Sequence, residues 1–105
     1  MKITRESADT IRIAFSSNPS AADAQTWIDR IKRELDGVEK MAEVDLTGLE
    51  VVSSLAVNVV VGLFKAMENQ GGTVRVLVAN EKMLRVFELF QLTRLFEVTV
   101  AGGKI

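Results

Sequence analysis

The sequence contains no cysteine and no histidine among its 105 residues. Without cysteine the chain has no disulfide, no thiolate metal site and no cysteine nucleophile. Without histidine it lacks the usual general base of a serine hydrolase and the commonest zinc ligand. Since no pair of nucleophile and base remains, we do not expect an enzyme, and we expect neither a metal nor a cofactor.

An excess of charge of either sign is also missing, since the formal net charge is −1 at neutral pH. No basic face or arginine-rich arm is visible, so binding to nucleic acid is not expected. The longest apolar run, residues 55–64, is about half the length of a membrane span and is interrupted by Asn58. No apolar segment of a signal peptide follows the N-terminus. These features predict a cytoplasmic protein that does not insert into a membrane.

Apolar residues make up 48% of the sequence, which at this length predicts one domain, residues 1–105, with a real core. The hydrophobic periodicity predicts the order β-β-α-β-α-β-α-β. The predicted strands are 2–6, 10–15, 41–46, 73–79 and 98–100, and the predicted helices are 21–35, 54–69 and 81–90, followed by a turn at 92–96. Strand 41–46, helix 54–69 and strand 73–79 have the lengths of a βαβ unit, which predicts parallel strands. The expected fold is therefore α/β with a mixed sheet whose central strands are 10–15, 41–46 and 73–79.

The segment 54–69 carries conflicting signals. Its β-branched valines favour a strand. Gly71 and Gly72, however, make a strong helix stop, and Ser53 and Ser54 are suitable residues for a helix start. The apolar residues also follow the 3–4 spacing of a helical stripe, which comprises Leu55, Ala56, Val59, Val60, Leu63, Phe64 and Met67. The balance predicts a helix.

Residues 45–62, DLTGLEVVSSLAVNVVVG, resemble without a gap the signature of the STAS domain, approximately D-L-S-G-V-E-F-I-D-S-S-G-L-G-V-L-L-G. The matching positions are Asp45, Leu46, Gly48, Glu50, Ser54, Val59 and Gly62. The resemblance continues through the strand VRVLVA and the segment VFELFQLTRLFEV, which is similar to the family's V-L-E-L-T-G-L-D-R-L-F-P-I. It implies a single STAS-like domain with a mixed central sheet and helices packed mainly on one face.

The same resemblance implies the function of an anti-sigma factor antagonist, a regulatory domain that binds an anti-sigma factor or serine-kinase partner. In these antagonists the serine that matches Ser54 is the phosphoacceptor. The partner-binding loop would then comprise Glu50, Ser53, Ser54, Leu55 and Asn58. A phosphate at a helix start is stabilised by the unpaired N–H groups and the helix dipole, while its charge of about −1.5 to −2 would expel a partner docked there.

Several positions of this loop depart from the family pattern. Ser53 stands where the family has an aspartate, Leu55 stands where it has Ser or Thr, and Ala56 and Asn58 replace its glycines. In one alternative, Ser53 is simply the helix N-cap, and Ser54 is an ordinary helix-start serine that is never modified. The alternative function is therefore a non-phosphorylated STAS scaffold or accessory subunit of a stressosome-type or ABC-transporter assembly. The oligomeric state is left open.

Other polar and aromatic residues are given structural roles by their positions. Glu43 and Asp45 share one face of a short strand without a base or metal partner, and Asp45 is expected to accept hydrogen bonds from the following turn. Asn58 is expected to face solvent or the partner, while Val57, Val60, Val61 and Phe64 are buried. Core packing is expected of the large aromatic residues Trp27, Phe64, Phe87, Phe90 and Phe96.

Overall fold

The computed structural model describes residues 1–102, and every predicted element is present with boundaries that agree closely. The strands are β1 (Lys2–Arg5), β2 (Thr10–Ala14), β3 (Met41–Asp45), β4 (Thr73–Val78) and β5 (Glu97–Val100). The helices are α1 (Ala21–Glu34), α2 (Ser54–Asn69) and α3 (Glu81–Leu89), and a 3₁₀ turn covers Leu92–Arg94. The predicted element order is therefore confirmed.

The strands form one mixed sheet in the order β1-β2-β3-β4-β5. β1 is antiparallel to β2, as predicted for a hairpin, with Ile3 opposite Ile13. The pairs β2–β3, β3–β4 and β4–β5 are all parallel. The three central strands are those predicted from the sequence. All the loops that follow parallel strands consequently lie at one edge of the sheet.

One face of the sheet is buried and the other is open, because side chains alternate along each strand. The buried face is covered by the helices and is formed by Ile11, Ile13, Ala42, Val44, Val74, Val76 and Val78. The open face carries ion pairs between neighbouring strands, in which Arg12 pairs with Glu43 and Asp45, and Arg75 pairs with Glu43. This arrangement confirms an α/β fold with its helices on one face.

The helix α2 begins and ends where the sequence predicts. Ser53 is its N-cap, and the Ser53 hydroxyl accepts a hydrogen bond from Ala56 N at 3.1 Å. At its C-terminus Gly71 has a φ of +79°, and Gly72 N donates to Met67 O at 2.8 Å. A glycine is favoured at this left-handed position because it has no Cβ. Tertiary packing of the apolar stripe overrides the strand preference of the valines.

The aromatic predictions need two corrections. Phe90 is 57% exposed rather than part of the core, because α3 ends at Leu89 and the chain turns left-handed at Gln91, with a φ of +59°. Phe96 instead packs against Phe87, with ring centroids 6.2 Å apart. Phe64 is half-buried at the border of the core and packs against Phe96, with ring centroids 5.6 Å apart.

Most of the other side chains of α2 are placed as the sequence predicts. Val57 and Val60 are buried and Asn58 is exposed, as predicted. Val61, predicted to be buried, is half-buried at the edge of the stripe. Trp27 packs edge-on against Phe15 at 5.2 Å. Within residues 1–102, none of the helices has the length and apolar character needed to cross a membrane.

Candidate functional site

The candidate site lies at the carboxyl ends of the parallel strands, where ligands and partners commonly bind in α/β folds. Two loops meet there. The β2–α1 loop, residues 15–20, follows β2, and the β3–α2 loop, residues 46–53, follows β3. α2 begins at this edge of the sheet and runs away from it. The predicted partner-binding residues all belong to the β3–α2 loop or to the start of α2.

Ser53 and Ser54 are adjacent but occupy different environments. Ser53 is half-buried, and its side chain is used as the N-cap of α2. Ser54 is the first residue of the helix and is exposed. The N–H groups of Ser54 and Leu55 lie in the first turn, where a helix provides no internal acceptor for them. The exposed hydroxyl of Ser54 is therefore beside backbone donors and the positive end of the helix dipole.

The remaining predicted residues of the partner-binding loop differ in their exposure to solvent. Asn58 is exposed and follows Ser54 by four positions, so both belong to the same face of α2. Leu55 is half-buried and packs against the core. Glu50 is exposed in the preceding loop. An accessible polar surface thus comprises Glu50, Ser54 and Asn58, while Ser53 and Leu55 hold the loop and the helix start in place.

The loop is fixed to the end of β3 by Asp45, as predicted. Its carboxylate accepts hydrogen bonds from Thr47 N at 2.8 Å and from Thr47 Oγ1 at 2.6 Å. Partial burial alone would raise the pKa of Asp45, but the bonds from Thr47 and the neighbouring Arg12 outweigh it and lower the pKa below its ordinary value. Asp45 is therefore an ionised turn residue and not a proton donor.

Gly48 brings the two loops into close contact. A Cβ at this position would lie 2.7 Å from the backbone oxygen of Phe15. Only glycine allows the backbones to approach so closely. The glycine that contributes to the STAS signature therefore has a physical role, which is to pack the β3–α2 loop against the β2–α1 loop.

Asn18 provides a second connection between the loops, which the sequence reasoning missed. Its Nδ2 donates to Val51 O at 3.0 Å, and its Oδ1 accepts from Ser53 N at 2.9 Å. Only a weak signal in the sequence could have suggested it, namely an asparagine in a loop that leaves the same sheet edge. The partner residues are more than thirty positions away, so local patterns do not indicate them.

A shallow apolar cleft of about 90 Å³ lies between the β3–α2 loop and α3. Val51, Val52, Met83 and Val86 line it, and Glu50 and Lys82 complete the lining. Val51 is 65% exposed. The surface next to the start of α2 therefore combines polar groups with exposed apolar area, which is a composition suited to contact with another protein.

The acidic residues of the open sheet face form no separate site. Glu43 and Asp45 share this face as predicted, but both are paired with arginines. Within residues 1–102, no group of three or more acidic side chains is arranged to hold a metal ion. Arg12 and Arg75, the partners of these carboxylates, were not predicted from the sequence.

The fold is similar to several solved structures. A candidate anti-sigma factor antagonist from Thermotoga maritima superposes with a TM-score of 0.78 at 19% identity, covering 93% of this chain and 84% of that one. The anti-sigma factor antagonist SpoIIAA in its unphosphorylated form gives a TM-score of 0.77 at 14% identity, covering 92% and 85%. The STAS domain of a SulP transporter from Vibrio cholerae gives 0.66 at 12% identity, covering 89% and 74%.

At these identities the structural likeness shows the fold alone. No curated protein matches the sequence. The STAS domain model, however, matches residues 2–102, which is nearly the whole length, and the chain therefore belongs to the STAS family.

Proposed function

We propose that the protein is a non-catalytic, cytoplasmic anti-sigma factor antagonist that binds an anti-sigma factor with serine-kinase activity. Phosphorylation of Ser54 releases the partner. The family membership and the similarity in fold to two anti-sigma factor antagonists support this proposal. The partner-binding surface comprises Glu50, Ser54 and Asn58, with Ser53 and Leu55 as its support.

The observation that carries the proposal is the exposure of Ser54 at the first position of a 16-residue helix. The adjacent Ser53 supplies the N-cap, so modification of Ser54 does not remove the cap of α2. A phosphate on Ser54 would be close to the unpaired N–H groups of the first turn, which stabilise an anion. The fold therefore tolerates the modification.

Release of the partner follows from the charge of the phosphate. The surface around Ser54 contains exposed Val51 and the exposed carboxylate of Glu50. A partner surface that packs against the apolar part would lose contact when about −1.5 to −2 charges are added beside it, because the phosphate must remain hydrated. The unmodified protein binds and the phosphorylated protein does not.

A specific observation also favours a second function, a STAS scaffold or transporter accessory subunit without a phosphoryl switch. The first turn of α2 contains no acidic residue, and Ser53 occupies the position of the family's aspartate. The fold is also similar to the STAS domain of a SulP transporter. In this alternative the same surface binds a partner permanently, and Ser54 is an ordinary helix residue.

The two functions are separated by incubating the purified protein with ATP, magnesium and the anti-sigma serine kinase encoded in the same genome. Mass spectrometry then locates the phosphate. We expect it on Ser54 in the wild type and in Ser53→Ala, and we expect none in Ser54→Ala. Ser53→Asp restores the family's acidic residue, retains an N-capping side chain and should be phosphorylated faster.

Binding titrations with the same kinase complete the test. Ser54→Asp should weaken binding about tenfold or more, because a fixed negative charge replaces the hydroxyl, while Ser54→Ala should bind as the wild type does. Asn69→Asp is the control, since it adds the same charge at the exposed far end of α2. If Ser54 receives no phosphate and Ser54→Asp binds normally, the scaffold function replaces the switch.

A further inference from the structure

Asn18 connects two segments that are distant in sequence and adjacent in space. Both ends of its side-chain amide are used, with Nδ2 donating to Val51 O at 3.0 Å and Oδ1 accepting from Ser53 N at 2.9 Å. These two backbone groups flank Val52 in the β3–α2 loop. The amide thus supplies hydrogen-bond partners to the backbone of this loop as a neighbouring strand would, through one donor and one acceptor.

Asn18 is itself held in position by the residues that follow it. Pro19 is buried and restricts the preceding residue to extended conformations. Ser20 begins α1 with a reciprocal capping box, in which its hydroxyl accepts from Asp23 N and the Asp23 carboxylate accepts from Ser20 N. The amide therefore projects from a rigid junction, so that little side-chain freedom is lost when its two hydrogen bonds form.

The hydrogen bond to Ser53 N acts directly on the start of α2. Ser53 is the N-cap, with extended backbone angles of φ −82° and ψ 163°. Its N–H bonds to Asn18, and its hydroxyl bonds to Ala56 N at 3.1 Å. Without Asn18, Val51 O and Ser53 N would turn to water, and residues 51–53 would lose the contact that fixes them immediately before Ser54.

We propose that Asn18 is a positioning residue for Ser54, holding the backbone before the acceptor in the one conformation that the kinase recognises. This inference rests on the proposed phosphorylation of Ser54. It also makes the β2–α1 loop part of the switch, since the junction before α1 determines how the start of α2 is presented.

The test compares Asn18→Ala and Asn18→Asp with the wild type. The control is Asn69→Ala, which removes an exposed asparagine side chain at the other end of α2. Hydrogen exchange of the Ser53 amide reports positioning without any kinase. We expect it to be about three- to tenfold faster in Asn18→Ala, which loses one hydrogen bond to that amide. In Asn18→Asp a carboxylate oxygen still accepts from Ser53 N, so protection should be retained.

Phosphorylation of Ser54 is then measured at a temperature where all four proteins are folded. Asn18→Ala should lose about three- to tenfold in kcat/KM. Asn18→Asp should fall between Asn18→Ala and the wild type, because it keeps the bond to Ser53 but loses the donor to Val51 O. Asn69→Ala should match the wild type. Urea denaturation of each variant identifies any general loss of stability.

The outcomes separate the inference from the proposed function. If wild-type Ser54 receives no phosphate, the proposed function fails and the positioning role fails with it. If the wild type is phosphorylated and Asn18→Ala is phosphorylated equally fast, the positioning role alone is overturned, even if Ser53 exchanges faster. Should Asn18→Ala fold poorly, Asn18→Asp decides, because it has lost the donor to Val51 O and is also expected to be slower than the wild type. Wild-type kinetics in that variant would overturn the positioning role.

Discussion

At the scale of single residues, Ser53 and Ser54 show how two identical side chains acquire different roles from one step along the chain. The hydroxyl of Ser53 accepts from Ala56 N, whereas Ser54 is exposed on the first turn of α2. Ser53→Ala should lower the free energy of unfolding by about 1 kcal/mol, within a range of about 0.5–2 kcal/mol, because the cap is lost. Ser54→Ala should change it by less than about 0.5 kcal/mol.

Urea denaturation of the two alanine variants checks this difference. Ser53→Asp provides the matched control, since aspartate is also a good N-cap and should restore most of the stability. Equal losses in Ser53→Ala and Ser54→Ala would mean that the N-cap has been assigned to the wrong serine.

Glu39 is a buried carboxylate at the opposite end of the sheet, with no exposed side-chain surface. It accepts hydrogen bonds from Arg5 Nη2 at 2.7 Å, from Gln70 Nε2 at 3.0 Å and from Asp36 N at 3.1 Å. Burial alone would raise the pKa of Glu39, but the bonds from Gln70, Arg5 and the backbone outweigh it and lower the pKa from 4.5 to about 2. Glu39 therefore joins β1, the loop after α1 and the end of α2.

The lowered pKa of Glu39 predicts a dependence of stability on pH. Since the folded pKa is below the unfolded one, the contribution of Glu39 is complete above about pH 4.5 and is lost as the pH falls towards about 2. Glu39→Gln should lower the free energy of unfolding at pH 7 by about 1–3 kcal/mol, because the charged acceptor is removed.

Denaturation of the wild type and Glu39→Gln across this pH range provides the measurement. The difference between them should shrink as the pH falls below 4.5. Glu88→Gln is a control at an exposed carboxylate and should show little effect. A difference that stays constant from pH 7 to pH 3 would contradict the assignment of the pH dependence to Glu39.

At the scale of elements, α2 has a buried side and an open side that can be tested separately. Leu63 is 2% exposed in the core, whereas Asn58 is exposed on the face of Ser54. Leu63→Ala should lower the free energy of unfolding by about 2–5 kcal/mol, because it leaves a cavity. Asn58→Leu should change it by less than about 0.5 kcal/mol. Similar losses in chemical denaturation would show that the faces of α2 are wrongly assigned.

The aromatic residues mark the limit of reasoning from periodicity. Phe87 and Phe90 are three positions apart, which is the spacing of residues on one face of a helix, but only Phe87 is buried. The difference arises because α3 ends at Leu89 and the chain reverses at Gln91, which brings Phe96 to the ring of Phe87. A stripe predicts which residues share a face while the helix lasts, and the last residue of the helix is the least predictable part.

At the scale of the whole molecule, local signals predicted the fold well. Alternation along the strands, the glycine after α2 and the serine before it each depend on residues a few positions apart. These signals fixed the order of the elements and the parallel βαβ unit. The exposed position of Ser54 and the turn closed by Asp45 were predictable for the same reason.

The connections that were missed join residues far apart in sequence. Asn18 reaches Val51 and Ser53, and Glu39 reaches Arg5 and Gln70. Such pairs depend on how the loops meet after the sheet has formed, so no pattern in one segment indicates them. Asn18 lies at the carboxyl ends of the parallel strands, and Glu39 lies at their amino ends.

The Asn18–Pro19 sequence has a consequence for the chemical ageing of the protein. Asparagine deamidates when the backbone nitrogen of the next residue attacks the side-chain amide and closes a ring. The nitrogen of Pro19 is already bonded to its own side chain and carries no hydrogen. The other asparagines, Asn58, Asn69 and Asn80, precede residues with an ordinary N–H. The amide that holds the β3–α2 loop is thus protected by covalent chemistry from conversion to aspartate through this ring closure.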